Sequence, residues 1–240
     1  MHDSPFIAYR PPRLTEDVAR ARAAAFYDLL EARRCVRQFS DEPVARDLLE
    51  SCVRAASTAP SGAHKQPWTY VAVSDPDTKR RIREAAESVE RDNYAWRMSE
   101  EWKADLAPLG TDGIKEHLPS APWVVVVFQQ DFALRADGRT GKHYYVAQSV
   151  GISVGLFLAA LQTAGLSALV HTPSPMEFLR HLLQRPRNER AFAVIPLGVA
   201  ARGCEVPNLR RKSLDEVLVV NPPASEIVYS ADSEPAPGDD

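Results

Sequence analysis

The chain reads as one domain of α+β class with a covered sheet, and three observations predict it. The run Pro122-Trp123-Val124-Val125-Val126-Val127-Phe128 is apolar and β-branched without alternation, which marks a strand buried on both faces. Residues 144–164 are apolar almost throughout, and at about twenty residues they are too long for a strand. No internal repeat and no Pro/Gly/Ser-rich linker divides the 240 residues, enough for one large core.

Taken in order, Thr15 before Glu16 and Asp17 is a helix start, with acids at the positive end of the dipole. Val18, Ala21, Ala25, Phe26 and Leu29 then recur at helical spacing toward Arg33 and Arg34. A second helix follows Pro43, because Val44, Leu48, Leu49, Cys52, Val53 and Ala56 share a face, and Pro60 ends it. Residues 68–73 read as a strand. Asp75-Pro76-Asp77 opens a highly charged helix over 78–106, only weakly amphipathic. After the strand ending at Phe128, residues 135–142 form a polar loop. The helix 144–164 contains Gly151 and Gly155, which permit close helix approach. Residues 166–170 are a short strand, 176–183 a helix, 191–199 a strand running through Pro196, and 207–214 an Arg/Lys-rich arm.

Charge narrows the function classes. The net charge is −3, yet Asp232, Glu234, Asp239 and Asp240 crowd residues 230–240, so the remainder sits near +1. A nearly neutral body argues against broad nucleic-acid binding. Pro235, Pro237 and Gly238 make that tail read as disordered. Cys35, Cys52 and Cys204 are far apart and form no CxxC pair, so neither a disulfide framework nor a metal site is expected. Met1-His2-Asp3-Ser4-Pro5 lacks the order of a signal peptide, and the longest apolar stretch, residues 150–161 with Ser153 inside it, is too short to span a bilayer. A cytoplasmic protein with no membrane partner is the expectation.

Two stretches carry chemistry. Arg33-Arg34-Cys35-Val36-Arg37 packs three guanidiniums into five residues, and a planar, permanently charged fork matches phosphate oxygens. Ala59-Pro60-Ser61-Gly62-Ala63-His64 is a small-residue loop that lets a flat ligand approach the backbone. Together they suggest a phosphorylated planar cofactor. Each also has a plainer reading, as a solvated helix end and as a simple turn. His64, His143 and His171 are candidate catalytic residues, although a lone histidine is more often structural. No GxGxxG follows a strand, and neither GxxxxGK[ST] nor HExxH occurs. Glu90 and Tyr94, four apart, share a helix face, which on a charged helix also reads as plain surface.

The Arg-Arg-x-Val-Arg segment, the Ala-Pro-Ser-Gly-Ala-His loop, the apolar central helix, Thr172-Pro173 after a short strand and the late Arg210-Arg211 together resemble the FMN-dependent nitroreductase superfamily. Glu90-Arg91-Asp92-Asn93-Tyr94 and Ile114-Lys115 make the chain similar to its iodotyrosine deiodinase branch of reductive dehalogenases, over roughly residues 15–220. The resemblance implies a nitroreductase-like fold: a central mixed sheet covered by helices, in a homodimer with an extended C-terminal arm. It divides the chain into an N-terminal extension, 1–14, an FMN domain, 15–220, and an acidic tail, 221–240. It implies FMN held by Arg33, Arg34, Cys35, Val36, Arg37, Ser61, Val170, His171, Thr172 and Arg211, with the Thr172 hydroxyl on flavin N5 as the catalytic contact. Cys35 stands where the family usually has Ser, and a thiol is the weaker donor. Val170 and His171 stand where some relatives carry Thr, so only backbone contact carries over there. For substrate it implies a halotyrosine, its phenolate on the Ala63 N–H and its zwitterion on a lid of Glu90, Tyr94 and Lys115. The alternative is a general FMN nitroreductase that spends NADPH or NADH on nitroaromatics without needing the lid.

Overall fold

The computed structural model describes residues 6–221, so most of the expected acidic tail lies outside the described residues. By contact the chain forms two units, Met1–Pro207 and Asn208–Asp240. In the first, helices α1 (Glu16–Glu31), α2 (Arg46–Ala56), α3 (Pro76–Asp92), α4 (Glu100–Leu106), α5 (His117–Ser120), α6 (Val146–Thr163) and α7 (Glu177–Leu182) accompany strands β1 (Trp68–Val73), β2 (Trp123–Gln130), β3 (Phe132–Leu134), β4 (Thr140–Lys142), β5 (Ser167–Ala168) and β6 (Glu189–Gly198).

The main sheet has the order β1-β2-β6-β5. Its β2 explains the unalternating apolar run. Val124 to Phe128 are all fully buried, yet alternate side chains serve different cores. Val125 and Val127 join α2 and α6 residues such as Leu49, Cys52, Val154 and Phe157. Val124, Val126 and Phe128 join Ile82 and Ala86 of α3 and Leu179 of α7. A strand with two apolar faces therefore needs helices on both, which gives three layers. The named strand pairs are all antiparallel. The mixed character implied by the resemblance is confined to an isolated parallel bridge between Cys35 and Ala168.

The helix expected over 78–106 is two helices. Asp75 caps α3, its carboxylate accepting from the Thr78 N–H at 2.7 Å, with Pro76 in the first turn where its missing N–H costs nothing. After Asp92 the chain widens into a π turn, Asn93–Arg97, and Met98 is extended. Ser99 then caps α4, accepting from the Trp102 N–H at 3.1 Å. The cap followed by Glu100 and Glu101 is a restart signal inside an otherwise continuous charged run. Residues 135–142, expected as loop, include β4, which pairs with β3.

α6 is a core helix. It carries Val150, Val154, Phe157 and Leu161 inward. Its buried Ser153 hydroxyl donates to the Ala56 carbonyl at 3.0 Å and lies 2.8 Å from the Tyr70 hydroxyl. By length and composition it is the one helix among the described residues long and apolar enough to cross a membrane. The second unit is extended as far as Ser213. There a capping box with Glu216 starts a short turn, Leu214–Glu216.

Candidate functional site

The Arg run follows α1 and lies extended. The Val36 N–H donates to the Ala168 carbonyl at 3.2 Å, which lays the segment beside β5. Arg34 turns back, its guanidinium donating to the carbonyls of Glu31 (2.6 Å) and Arg33 (3.0 Å). Val36 is buried, Cys35 is exposed, and Arg37 is half-buried at the wall of a cavity.

That cavity, about 400 Å³, lies within the range of small-molecule sites. Its wall brings together Arg37, Glu90, Tyr94, Lys115, Val170, His171 and Thr172, seven of the residues singled out from sequence. Met98, Trp102, Leu106 and Leu109 give it an apolar side. A larger groove, about 630 Å³, runs along β1 and α2, between Arg46, Glu50, Tyr70 and Trp123, and contains none of the expected residues. The residues expected to carry chemistry gather at the smaller cavity.

α3 places Glu90 one turn before Tyr94, as the spacing requires. Lys115 reaches the same wall from the segment before α5. Its ammonium lies 3.6 Å from the Glu90 carboxylate, and the two side chains are 3% and 10% exposed. The Lys115 ammonium also donates to the Asp112 carbonyl. Its backbone N–H donates to the Glu87 carboxylate at 2.8 Å. The Tyr94 hydroxyl donates to the Thr111 carbonyl at 3.1 Å. Burial, followed by the charges of Glu90 and Asp112, pushes the Tyr94 phenol above its ordinary range, so it serves as a neutral donor.

On the other side, backbone hydrogen bonds at 2.8 Å in both directions tie His171 to Val194 of β6. The sheet thereby fixes the stretch Val170-His171-Thr172, and Thr172 is exposed in the cavity. Of the three candidate histidines, only His171 is there. The His143 Nδ1–H donates to the Gln130 carbonyl at 2.8 Å, and His64 is exposed beside Gln66.

The loop after α2 is strained. Ala63 (φ 48°), His64 (φ 54°) and Gln66 (φ 47°) all have left-handed backbones without being glycine. Such residues cost energy and concentrate at functional sites. The Ser61 hydroxyl accepts from the Gln66 N–H at 2.9 Å, so its own proton is available to donate. Gly62 is where the loop meets the start of α6. Its N–H donates to Ser149 Oγ at 3.4 Å, and a Cβ there would lie 2.4 Å from the Tyr144 carbonyl oxygen. Ser61, Ala63 and residues Arg33 to Val36 are not among the residues lining the cavity, and Arg211 belongs to the second unit.

Sequence reasoning missed two residues. Asn93, buried in the π turn, donates through Nδ2 to the Ser174 carbonyl at 3.0 Å, tying that turn to the segment after Thr172. His117 stands edge-on to His171, with ring centroids 5.8 Å apart. Asn93 sits inside a motif that was recognised for its other members. Nothing local marks His117, since only tertiary packing brings it to His171.

The nitroreductase family model matches residues 30–199. An iodotyrosine deiodinase of Haliscomenobacter hydrossis is 49% identical over 90% of this chain and 97% of its own. An iodotyrosine deiodinase 1 of Rattus norvegicus is 44% identical over 89% of this chain and 75% of its own. Among solved structures, an oxidized iodotyrosine deiodinase bound to FMN and 3-iodo-L-tyrosine superposes with a TM-score of 0.70 at 27% identity, covering 82% of this chain and 98% of that one. A nitroreductase-like fold matches the three-layer architecture described above, and the chain belongs to the nitroreductase family, in its iodotyrosine deiodinase branch.

Proposed function

We propose that the protein is an FMN-dependent reductive dehalogenase of halotyrosines. The observation that carries this is the buried Glu90–Lys115 pair in the wall of a cavity that also holds Tyr94, Arg37 and Thr172. A general nitroreductase has no use for two opposite charges held out of water, because each costs several kcal/mol to desolvate. A zwitterion uses both, Glu90 accepting from the α-ammonium, Lys115 and Tyr94 donating to the α-carboxylate.

The residues present fit FMN. Arg37 brings a guanidinium to the cavity wall, Thr172 brings a hydroxyl, and the Arg33-Arg34 stretch beside β5 adds cations. In this reading Arg33, Arg34 and Arg37 hold the phosphate, with backbone contacts at Cys35 and Val36. The Thr172 hydroxyl meets N5, flanked by backbone contacts at Val170 and His171. Ser61 and Arg211 complete the set, and the Ala63 N–H holds the phenolate. Bound flavin would supply two electrons. The protein supplies placement, the oriented donors and exclusion of water by the α3–α4 lid.

A homodimer belongs to the same reading. It accounts for Ser61 and Ala63 lying outside the cavity wall of a single chain, since a second copy can bring its loop to that cavity. α6 leaves Ile152 and Leu156 exposed beside Gly151 and Gly155, and α1 leaves Val18, Phe26 and Tyr27 exposed. In this reading these exposed apolar faces pack against the second copy.

The deciding test is anaerobic. Reduced protein mixed with iodotyrosine should release iodide and reoxidise, while 2-iodophenol should react far more slowly. Rapid turnover of a nitroaromatic with no iodide release would instead establish the general nitroreductase.

A further inference from the structure

His117 and His171 share an unusual condition. The Nε2 atoms of both are buried and have no hydrogen-bond partner. Both rings line the cavity, edge-on at 85° with centroids 5.8 Å apart. A buried imidazole nitrogen left unpaired costs about 1–3 kcal/mol, so two side by side call for an occupant. A neutral imidazole keeps one N–H and one bare nitrogen, so each ring can take up one proton and give it back.

The charges around the pair say when a proton arrives. Lys115 and Arg37 face both rings, Arg83 of α3 also acts on His117, and Asp112 opposes them weakly. Burial and these cations hold His117 down to about 4 and His171 to about 3, so both are neutral at pH 7. A phosphate on Arg37 and a phenolate in the cavity add negative charge beside the same cations. The sign of their effect on the imidazoles is upward.

We infer that His117 and His171 form the cavity's proton reserve, charged when anionic cofactor and substrate are both bound and drawn on as the carbon–halogen bond breaks. The inference rests on the dehalogenase reading above. In the step, the pair gives one proton to the halogen-bearing ring carbon and a C–H bond forms. The C–I bond breaks as two electrons arrive from the reduced flavin, and iodide leaves. One proton shed from the flavin on oxidation refills the pair, so no proton is consumed overall. His171 immediately precedes Thr172, which places the reserve next to the N5 contact. The histidine that gives the proton acts on the reacting carbon as a catalytic residue, and its neighbour acts through it as a positioning residue.

The test reads histidine protonation directly, in FMN-loaded protein by two-bond ¹H–¹⁵N NMR, with signals assigned from His117→Gln and His171→Gln. Without iodotyrosine both rings should stay neutral down to pH 5. With it, the titration midpoint of one ring should rise to about 7 or above, since a smaller rise would leave the pair neutral at working pH. Unmoved midpoints, while quenched flavin fluorescence reports bound iodotyrosine, would overturn the proton reserve and leave the dehalogenase reading intact. Absence of quenching would remove both. In single turnover, each variant should release iodide at least tenfold more slowly, with FMN content and iodotyrosine affinity within twofold of the parent. Parental rates in both would end the delivery role. Should a variant lose FMN, the measurement on the unsubstituted protein still decides.

Discussion

Gly62→Ala tests whether the strained loop is held in place by contact with α6. The added methyl would lie 2.4 Å from the Tyr144 carbonyl oxygen, 2.8 Å from Tyr144 Cβ and 2.9 Å from the Tyr144 carbonyl carbon. Carbon-to-oxygen contacts settle at about 3.3–3.6 Å, so the loop and Tyr144 must separate by roughly 1 Å. Neither side yields easily. Tyr145, the next residue, already has a left-handed backbone at the start of α6, and Ser149 Oγ donates to its carbonyl at 2.7 Å. Retreat of the loop breaks the 3.4 Å bond from the Gly62 N–H to Ser149. Overpacking of about 1–3 kcal/mol and a lost hydrogen bond of about 1 kcal/mol give a destabilisation of roughly 2–4 kcal/mol. Ser61 and Ala63 flank the substitution, so FMN affinity should drop at least tenfold. Urea unfolding of the FMN-free protein and a visible-absorbance titration with FMN measure the two effects. Gly113→Ala is the control, because a methyl there meets nothing within 4 Å. A Gly62→Ala protein within 0.5 kcal/mol of the parent and with unchanged FMN affinity would refute the reasoning.

Acid should weaken the fold through the histidine pair. Folded values of about 4 and 3 lie below the ordinary 6.5, so the unfolded chain binds more protons in that window and stability falls as pH drops through it. At about 1.4 kcal/mol per pH unit for each ring, unfolding free energies from urea titrations at pH 7 and pH 5 should differ by on the order of 2–4 kcal/mol, and His117→Gln should shrink the gap. A Glu90→Gln protein should keep FMN but bind iodotyrosine about 30-fold or more weakly, because the Lys115 ammonium loses its partner at a cost of about 2–5 kcal/mol; loss of FMN instead would make Glu90 structural. Burial holds the Tyr70 phenol up at about 12, so tyrosinate absorbance should show one late-titrating group that Tyr70→Phe removes. That variant should cost only about 1 kcal/mol, since Ser153 keeps its bond to the Ala56 carbonyl. Leu156→Glu on the exposed face of α6 should yield a monomer by sedimentation, and that monomer should bind FMN poorly.

Much of this was legible because it is written locally. The β2 run announced a two-faced strand, since five successive apolar residues leave no polar face for solvent, and the two cores bear that out. Asp75-Pro76 announced α3, which begins at Pro76, two residues before the expected 78. The break between α3 and α4 was lost because charged residues on both sides of Ser99 continue the helical pattern. Only the cap geometry separates them. Glu90 and Tyr94 could be paired from their spacing, and the resemblance added Lys115. The contact between His117 and His171 spans 54 residues of sequence and depends on β6 holding one ring while α5 presents the other. No periodicity encodes such a meeting. The left-handed backbones at Ala63, His64 and Gln66 were equally hidden, because a non-glycine residue is driven there by its surroundings.

On the proposed reading, the ion pair between Glu90 and Lys115 means that the cavity wall already contains an image of its guest. Each side chain plays the opposite end of an amino acid to the other, so admission is an exchange of partners in which the number of ion pairs rises without any change in net charge. A free amino acid carrying both ends can trade places cleanly, whereas an amine, an acid or an N-acylated tyrosine leaves one half of the exchange undone. Ionic strength, which governs sites that capture ions from solution, should therefore have little hold on this one.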